Sequence, residues 1–290
     1  MDPLFILQSL LNGFLIGGVY SLMAIGLTLI FGVMRIINFA HGSVIMLGMY
    51  SVYWVVLLLG VDPYASILIV FPVLFLLGVS IQIFLINPII KAPEHNQLLL
   101  TLGISLFLES FALFCWTPNY RVMRTSYAQI NFFIGEISIS LVRVLAFGLS
   151  MLLAAILYFV LVKTDLGKAI RATSEEPEGA MLVGINIRRI YWISFGIGIA
   201  CAGVSGAAVM PFFPVYPYVG WLFVINSFVV VVLGGMGNFM GAVVGGLIIG
   251  LADSIGAMLL PSAMKSIISF SIFVLILLFK PTGLFGGKRV

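Results

Sequence analysis

Residues 163–189 read KTDLGKAIRATSEEPEGAMLVGINIRR. This stretch holds Lys163, Asp165, Lys168, Arg171, Glu175, Glu176, Glu178, Arg188 and Arg189, against 14 basic and 10 acidic residues in the whole chain. Apolar runs close it off on both sides, at 144–162 and 191–213. A helix of about 20 apolar residues matches the hydrocarbon thickness of a bilayer and satisfies its own backbone in lipid. A charge-dense loop between two such runs is a surface offered to a soluble partner.

The rest of the chain extends that reading. With 62% hydrophobic and 8% charged residues, it lies far below the roughly 25% charged of a soluble domain. The expectation is an all-α polytopic membrane protein, a single transmembrane domain over 1–290. Apolar runs at 4–34, 39–59, 64–86, 97–116, 144–162, 191–213, 221–233, 241–260 and 267–279 predict about nine transmembrane segments. The first exceeds one span and holds Gly13, Gly17, Gly18 and Gly26; the seventh runs into Gly234-Gly235-Met236-Gly237-Asn238. Transporters break helices at such places to line a cavity, so glycine-broken helices are expected. Asp2 and the lack of Lys or Arg before Arg35 favour a retained first helix over a signal peptide.

The net charge of +4 is spread over loops and leaves no nucleic-acid footprint. Cys115 and Cys201 stand alone in apolar runs and suggest neither a disulfide framework nor a metal site. With nine spans and the charged loop inside, Arg35, Lys91, Lys163, Lys168, Arg171, Arg188, Arg189, Lys280, Lys288 and Arg289 fall in the cytoplasm. Arg121, Arg124, Arg143 and Lys265 fall outside. That bias predicts an outward N-terminus and an inward C-terminus. The aromatic-proline stretches at 117–127 and 211–221 then face outward.

Within the loop, Ser174 as N-cap, the acids and Pro177 in a first turn, and Gly184 at the end predict a short helix over 175–184. Arg188 and Arg189 would lie just beyond it, at the negative end of its dipole. Ala180, Met181, Leu182 and Val183 give it an apolar side that another protein or the bilayer surface would cover.

The pattern Glu178-Gly179-Ala180-x-x-x-Gly184 resembles the Glu-Ala-Ala-x-x-x-Gly loop of bacterial ABC-importer permeases, with Gly179 in place of the first Ala. Asn12-Gly13, the run 17–22 (GGVYSL) and the run 26–32 (GLTLIFG) resemble the first span of the branched-chain amino acid permeases. So do Ile37-Asn38-Phe39-Ala40-His41-Gly42 with Gly48 and Tyr50, and Leu233-Gly234-Gly235-Met236-Gly237-Asn238 with Gly241 and Gly245. The resemblance implies a permease subunit in a bacterial inner membrane, paired with a second homologous permease. It implies a cytoplasmic coupling loop at 163–190 clamped by two ATP-binding subunits, with Glu175, Glu178, Ala180, Gly184 and Arg188 carrying the contact. It also implies a periplasmic substrate-binding protein that supplies affinity and cargo. Branched-chain amino acids are the default cargo, and relatives that carry urea, amides or aromatic acids keep the choice open.

Asn38, His41 and Ser43 begin a hydrophobic segment beside Gly42 and Gly48. They read either as a helix start facing the translocation path or as an interfacial cap with a satisfied histidine. The family resemblance favours the path. Glu109 and Asp253 lie deepest in apolar runs, where an acid faces the bundle interior or a wet cavity. Each reads as a contact for the amino group of a passing zwitterion or as a structural partner of another helix. Asn226 and Ser227 are weaker candidates, since such residues often only join helices.

Two rival classes stand against this reading. Gly203-Val204-Ser205-Gly206 matches the Gly-x-Ser-Gly of rhomboid proteases, but His41 precedes the serine rather than following it, and small residues there suit helix packing. No P-loop or catalytic constellation appears, so ATP hydrolysis would fall to partner subunits, and no cofactor is implied. An ion-coupled secondary transporter or channel would use the two acids, yet has no need to display a docking loop.

Overall fold

Lipid offers the backbone no partner, and the apolar runs accordingly fold as helices. The computed structural model describes residues 3–123, 125, 127–261, 264 and 266–286. Asp2, Arg124, Lys265, Lys288 and Arg289, which enter the charge arguments above, lie outside the described residues.

The elements are α1 (Pro3–Met34), α2 (His41–Leu59), α3 (Ile67–Ile81), α4 (Glu94–Trp116), β1 (Asn131–Ile134), β2 (Ile137–Ser140), α5 (Leu141–Lys163), α6 (Asp165–Glu175), α7 (Pro177–Leu182), α8 (Ile187–Val209), α9 (Val219–Gly234), α10 (Phe239–Leu259) and α11 (Ser266–Phe279). A π-helical turn, Gln82–Ile86, and a 3-10 turn, Asn87–Ile89, extend α3. Among the described residues, seven helices are long and apolar enough to cross a membrane: α1, α2, α3 with its extension, α4, α5, α8 and α10. Helices α9 and α11 are apolar but shorter, at 16 and 14 residues.

Helices α1 and α8 are buried over most of their length and form the centre. Helices α3, α4, α5 and α11 carry many exposed Leu, Ile and Phe side chains outward, as lipid-facing helices do. Close approach of backbones holds the centre together. A Cβ on Gly48 would collide with the Gly203 backbone, and one on Gly250 with the backbone of Gly13 and Gly17. Small residues let helices in lipid gain contact where water supplies no driving force.

The two ends of the bundle differ. At one end Ser174 Oγ donates to the Gly32 carbonyl (2.6 Å), and the chain after α11 covers the end of α9 through Leu284 N to Leu233 O (2.8 Å). This loop end gathers Arg35, the 163–189 segment and Lys280. At the hairpin end Gln8 and Ser138 exchange two hydrogen bonds, and Arg121 bridges to Val215.

Three expectations need correction, beside one addition. The mostly helical fold agrees with an all-α polytopic membrane protein, and residues 131–140 add a small antiparallel hairpin to it. Gly135, with φ 63°, opens its two-residue turn as such loops require. Helix α1 is unbroken, since its glycines serve packing rather than a kink. The break falls after it, where Arg35 takes φ 55° and residues 35–40 leave helical geometry. Finally, 175–184 is not one helix capped by Ser174. Ser174 lies in the last turn of α6, and α7 begins afresh at Pro177 after the extended Glu176. Arg188 and Arg189 open α8 under an Asn186 cap instead of closing α7.

Replacing Gly48 by Val should destabilise the protein by about 1–3 kcal/mol, the usual cost of overpacking. Unfolding by SDS titration in mixed micelles measures it; an unchanged midpoint would refute the backbone contact with Gly203.

Candidate functional site

The segment 35–40 does not run straight out of the bundle. It turns back and climbs beside α1, so that α2 begins within the bundle. His41 Nε2 lies 2.9 Å from the carbonyl of Met23, eleven residues above Met34 on α1, or about 16 Å along the helix. A carbonyl only accepts, so Nε2 carries the proton, which leaves Nδ1 with no hydrogen-bond partner. Asn38 Oδ1 accepts from Ala40 N (3.1 Å), while its Nδ2 is buried without a partner. Thr101 Oγ1 on α4 donates to the Ile37 carbonyl (3.1 Å) and holds the irregular segment.

Helix α9 also begins beside this point, with the Gly42 and Gly220 backbones in contact. Two helix N-termini therefore approach each other inside the bundle, and Glu109 of α4 lies between them. It is 5% exposed. Its Oε1 accepts from Ser43 Oγ (3.3 Å), in the first turn of α2, and from Ser105 Oγ (3.4 Å). Its Oε2 accepts from Trp221 Nε1 (3.0 Å), in the first turn of α9. Helix N-termini favour negative charge. This accounts for a carboxylate buried beside neutral donors, with no basic group in ion-pair contact among the described residues.

Asp253 stands apart. The Tyr20 hydroxyl of α1 donates to its Oδ2 (3.1 Å) and the Ser269 hydroxyl of α11 to its Oδ1, so it ties α10 to two neighbours. The expected path residues thus fall into three places. Ser43 and Glu109 are bonded together, Asn38 and His41 lie at the α1–α2 junction, and Asp253 sits between α1 and α11. Of the weaker candidates, the Ser227 hydroxyl returns to Phe223 O (2.7 Å).

In the loop, Thr164 caps α6, its Oγ1 accepting from Gly167 N (3.1 Å). Arg171 Nη1 donates to the Leu161 carbonyl and fastens α6 to the end of α5. Helix α7 is closed by Gly184 at φ 86°, with Gly184 N bonded to Met181 O and Ile185 N to Ala180 O. That is the Schellman ending, which glycine adopts without a Cβ penalty. Ala180 is buried, whereas Met181, Leu182 and Val183 are exposed beside Glu175 and Glu178. Within this loop, helix α6 is the element not anticipated from the sequence. Its signals are Thr164 before Asp165, and Leu166, Ile170 and Thr173 at helical spacing.

Replacing Glu109 by Ala should leave the Ser43, Ser105 and Trp221 donors without their shared acceptor, at about 1.5–3 kcal/mol for a charged hydrogen-bonded group. Thermal unfolding in detergent, followed by Trp fluorescence, reads this loss; full stability would remove Glu109 from the helix junction.

Known proteins share this plan in sequence. A family model described as the branched-chain amino acid transport system / permease component matches residues 9–277. The permease protein BraD of Pseudomonas aeruginosa, from a high-affinity branched-chain amino acid transport system, is 32% identical over 98% of this chain and 97% of its own length. LivH of Escherichia coli K12, named for the same kind of system, is 31% identical over 99% and 97%. A probable LivH of Methanocaldococcus jannaschii is 30% identical over 91% and 88%. No solved structure matches. Both the 35–43 junction and the 163–189 loop fall inside the matched residues, and the chain belongs to the family of permease components of branched-chain amino acid transport systems.

Proposed function

We propose that this chain is one membrane-spanning half of an ATP-driven importer for branched-chain or closely related small amino acids. The observation that carries the reading is the charged loop. It builds two short helices, α6 and α7, the second of which leads into exposed Met181, Leu182 and Val183 near acidic side chains at the end opposite the hairpin. In this reading the loop end is cytoplasmic, and α9 and α11 complete nine crossings with the N-terminus outside. Two ATP-binding subunits engage α7 and its equivalent in a second, homologous permease. Glu175, Glu178, Ala180, Gly184 and Arg188 form or position that contact. A soluble periplasmic protein delivers cargo at the hairpin end, and the solute passes along a path that includes Asn38 and His41. Their unpartnered buried Nδ2 and Nδ1 atoms support that assignment. Asp253 and Glu109 border the path from helices they also hold together.

A second reading, an ion-coupled carrier, would rest on the same two acids. Their existing donors favour a structural use, and the importer reading accounts for the loop as well.

Purification in mild detergent should recover a second permease and P-loop ATPases with this chain. In proteoliposomes supplied with the binding protein, Gly184→Val should strain the left-handed residue by about 1–2 kcal/mol. ATP hydrolysis should persist while uptake falls at least tenfold. Unchanged coupling would remove α7 from the docking role, and recovery of the chain alone would remove the importer reading.

A further inference from the structure

Three adjoining cavities of about 70, 160 and 310 Å³ open at the loop end, between the end of α1, α6 and the α9–α10 turn. They share Gly32, Arg171, Ser174, Gly237, Arg35 and Glu175 in overlapping sets and so form one groove. Its inner compartment is apolar, walled by Leu29, Tyr158, Val162, Ile170 and Phe239. Its mouth carries Arg35, Arg171 and Glu175. None of these charges is paired with another, and the ion pair found among the described residues, Lys168–Asp165, lies elsewhere. Thr28, 3% exposed in the inner wall, has a hydroxyl with no hydrogen-bond partner. No group of the chain bonds to this part of the inner wall, which the cavity leaves open to a ligand.

We propose that this groove binds a zwitterionic α-amino acid with a short aliphatic side chain, taken up from the loop end. The guanidinium groups of Arg35 and Arg171 receive the carboxylate, since planar donor forks suit it. Glu175 receives the ammonium group. The side chain enters the inner compartment, which extends only from Thr28 to Val33 on α1 and from Tyr158 to Val162 on α5. That depth is about one helical turn, enough for a branched four-carbon chain and too short for a phospholipid acyl chain. Glu175 further disfavours an anionic lipid headgroup. A ligand bridging Arg35 and Glu175 pins α6 to the end of α1. On the importer reading, on which the regulatory part of this proposal rests, it restrains α7 as internal solute accumulates.

The test uses the full chain with its co-purifying partners in nanodiscs and tritiated leucine as probe. Saturable binding is expected, with at least tenfold weaker competition by 4-methylpentanoate, which lacks the ammonium, and by 3-methylbutylamine, which lacks the carboxylate. Arg171→Gln should weaken binding at least tenfold. Because Arg171 also fastens α6 to α5, Thr28→Val is the second variant. It is nearly isosteric and replaces a hydroxyl that no group in the chain uses by a methyl that the aliphatic side chain of the ligand covers, so severalfold tighter leucine binding without loss of thermal stability places the ligand in the groove. In proteoliposomes, the ratio of uptake rates with and without internal leucine should move further from one in Thr28→Val. No leucine binding, binding indifferent to both variants, or competition by either singly charged analogue as strong as that of leucine itself would overturn the proposal, as would occupancy by phospholipid alone. Leucine binding that responds to Thr28→Val in a chain recovered without ATPases would keep the site and remove the importer. ATPases recovered with a chain that binds no leucine here would remove the site alone.

Discussion

Backbone-to-backbone contact at paired glycines is the constraint on which the rest of the structure depends. Gly48 meets Gly203, Gly42 meets Gly220, and Gly17 meets Gly250, each without room for a Cβ. In lipid a helix gains little by hiding apolar side chains from a solvent that is itself apolar. What it gains must come from dispersion and from polar contacts made at short range. Glycine at the crossing points is what lets α1 and α8 occupy the centre with α2, α3, α9 and α10 drawn tightly around them.

That closeness explains how the chain tolerates irregular backbone inside the bundle. Residues 35–40 carry carbonyl and amide groups that lipid would leave unsatisfied. They survive because α4 supplies Thr101 to the Ile37 carbonyl and the neighbours exclude lipid. Once α2 starts within the bundle, its N-terminus brings positive partial charge to a dry place, and the start of α9 doubles it. Glu109 answers both. The carboxylate and the two helix starts are one electrostatic unit, and each would be expensive without the others.

The span pattern was legible because it rests on composition alone. Seven of the apolar runs became long helices within a few residues of where hydropathy placed them. The helix start at His41 was also legible, through Asn38 and His41, although the break was sought in the glycines of α1. Glycine reports both bending and close packing, and one sequence does not separate them. The 175–184 helix was misplaced for a related reason. Ser174 followed by acids looks like a cap, but its hydroxyl turns inward to the Gly32 carbonyl, a contact 142 residues away in sequence. The hairpin at 131–140 escaped because two four-residue strands leave little pattern, and only Gly135 marked its turn. Asp253 was visible as a buried acid. Its partners Tyr20 and Ser269 were not, since they come from helices at opposite ends of the chain.

The contacts at the loop end bear on how a push on α7 would travel. Helix α7 is six residues long and cannot bend within itself, and its Schellman ending fixes how it leads into α8. Force applied at its tip therefore passes to α8 through residues 184–186 and to α6 through Glu176. From α6 it reaches the core at two contacts, Ser174 on the last turn of α1 and Arg171 on the last turn of α5. Helix α1 is continuous from there to the hairpin end and passes His41 and Tyr20 on the way. A continuous helix carries a displacement along its axis as one body. Under the proposed function, displacement of α7 would thus be felt at the α1–α2 junction as a shift of α1 past it, rather than as bending of any one span.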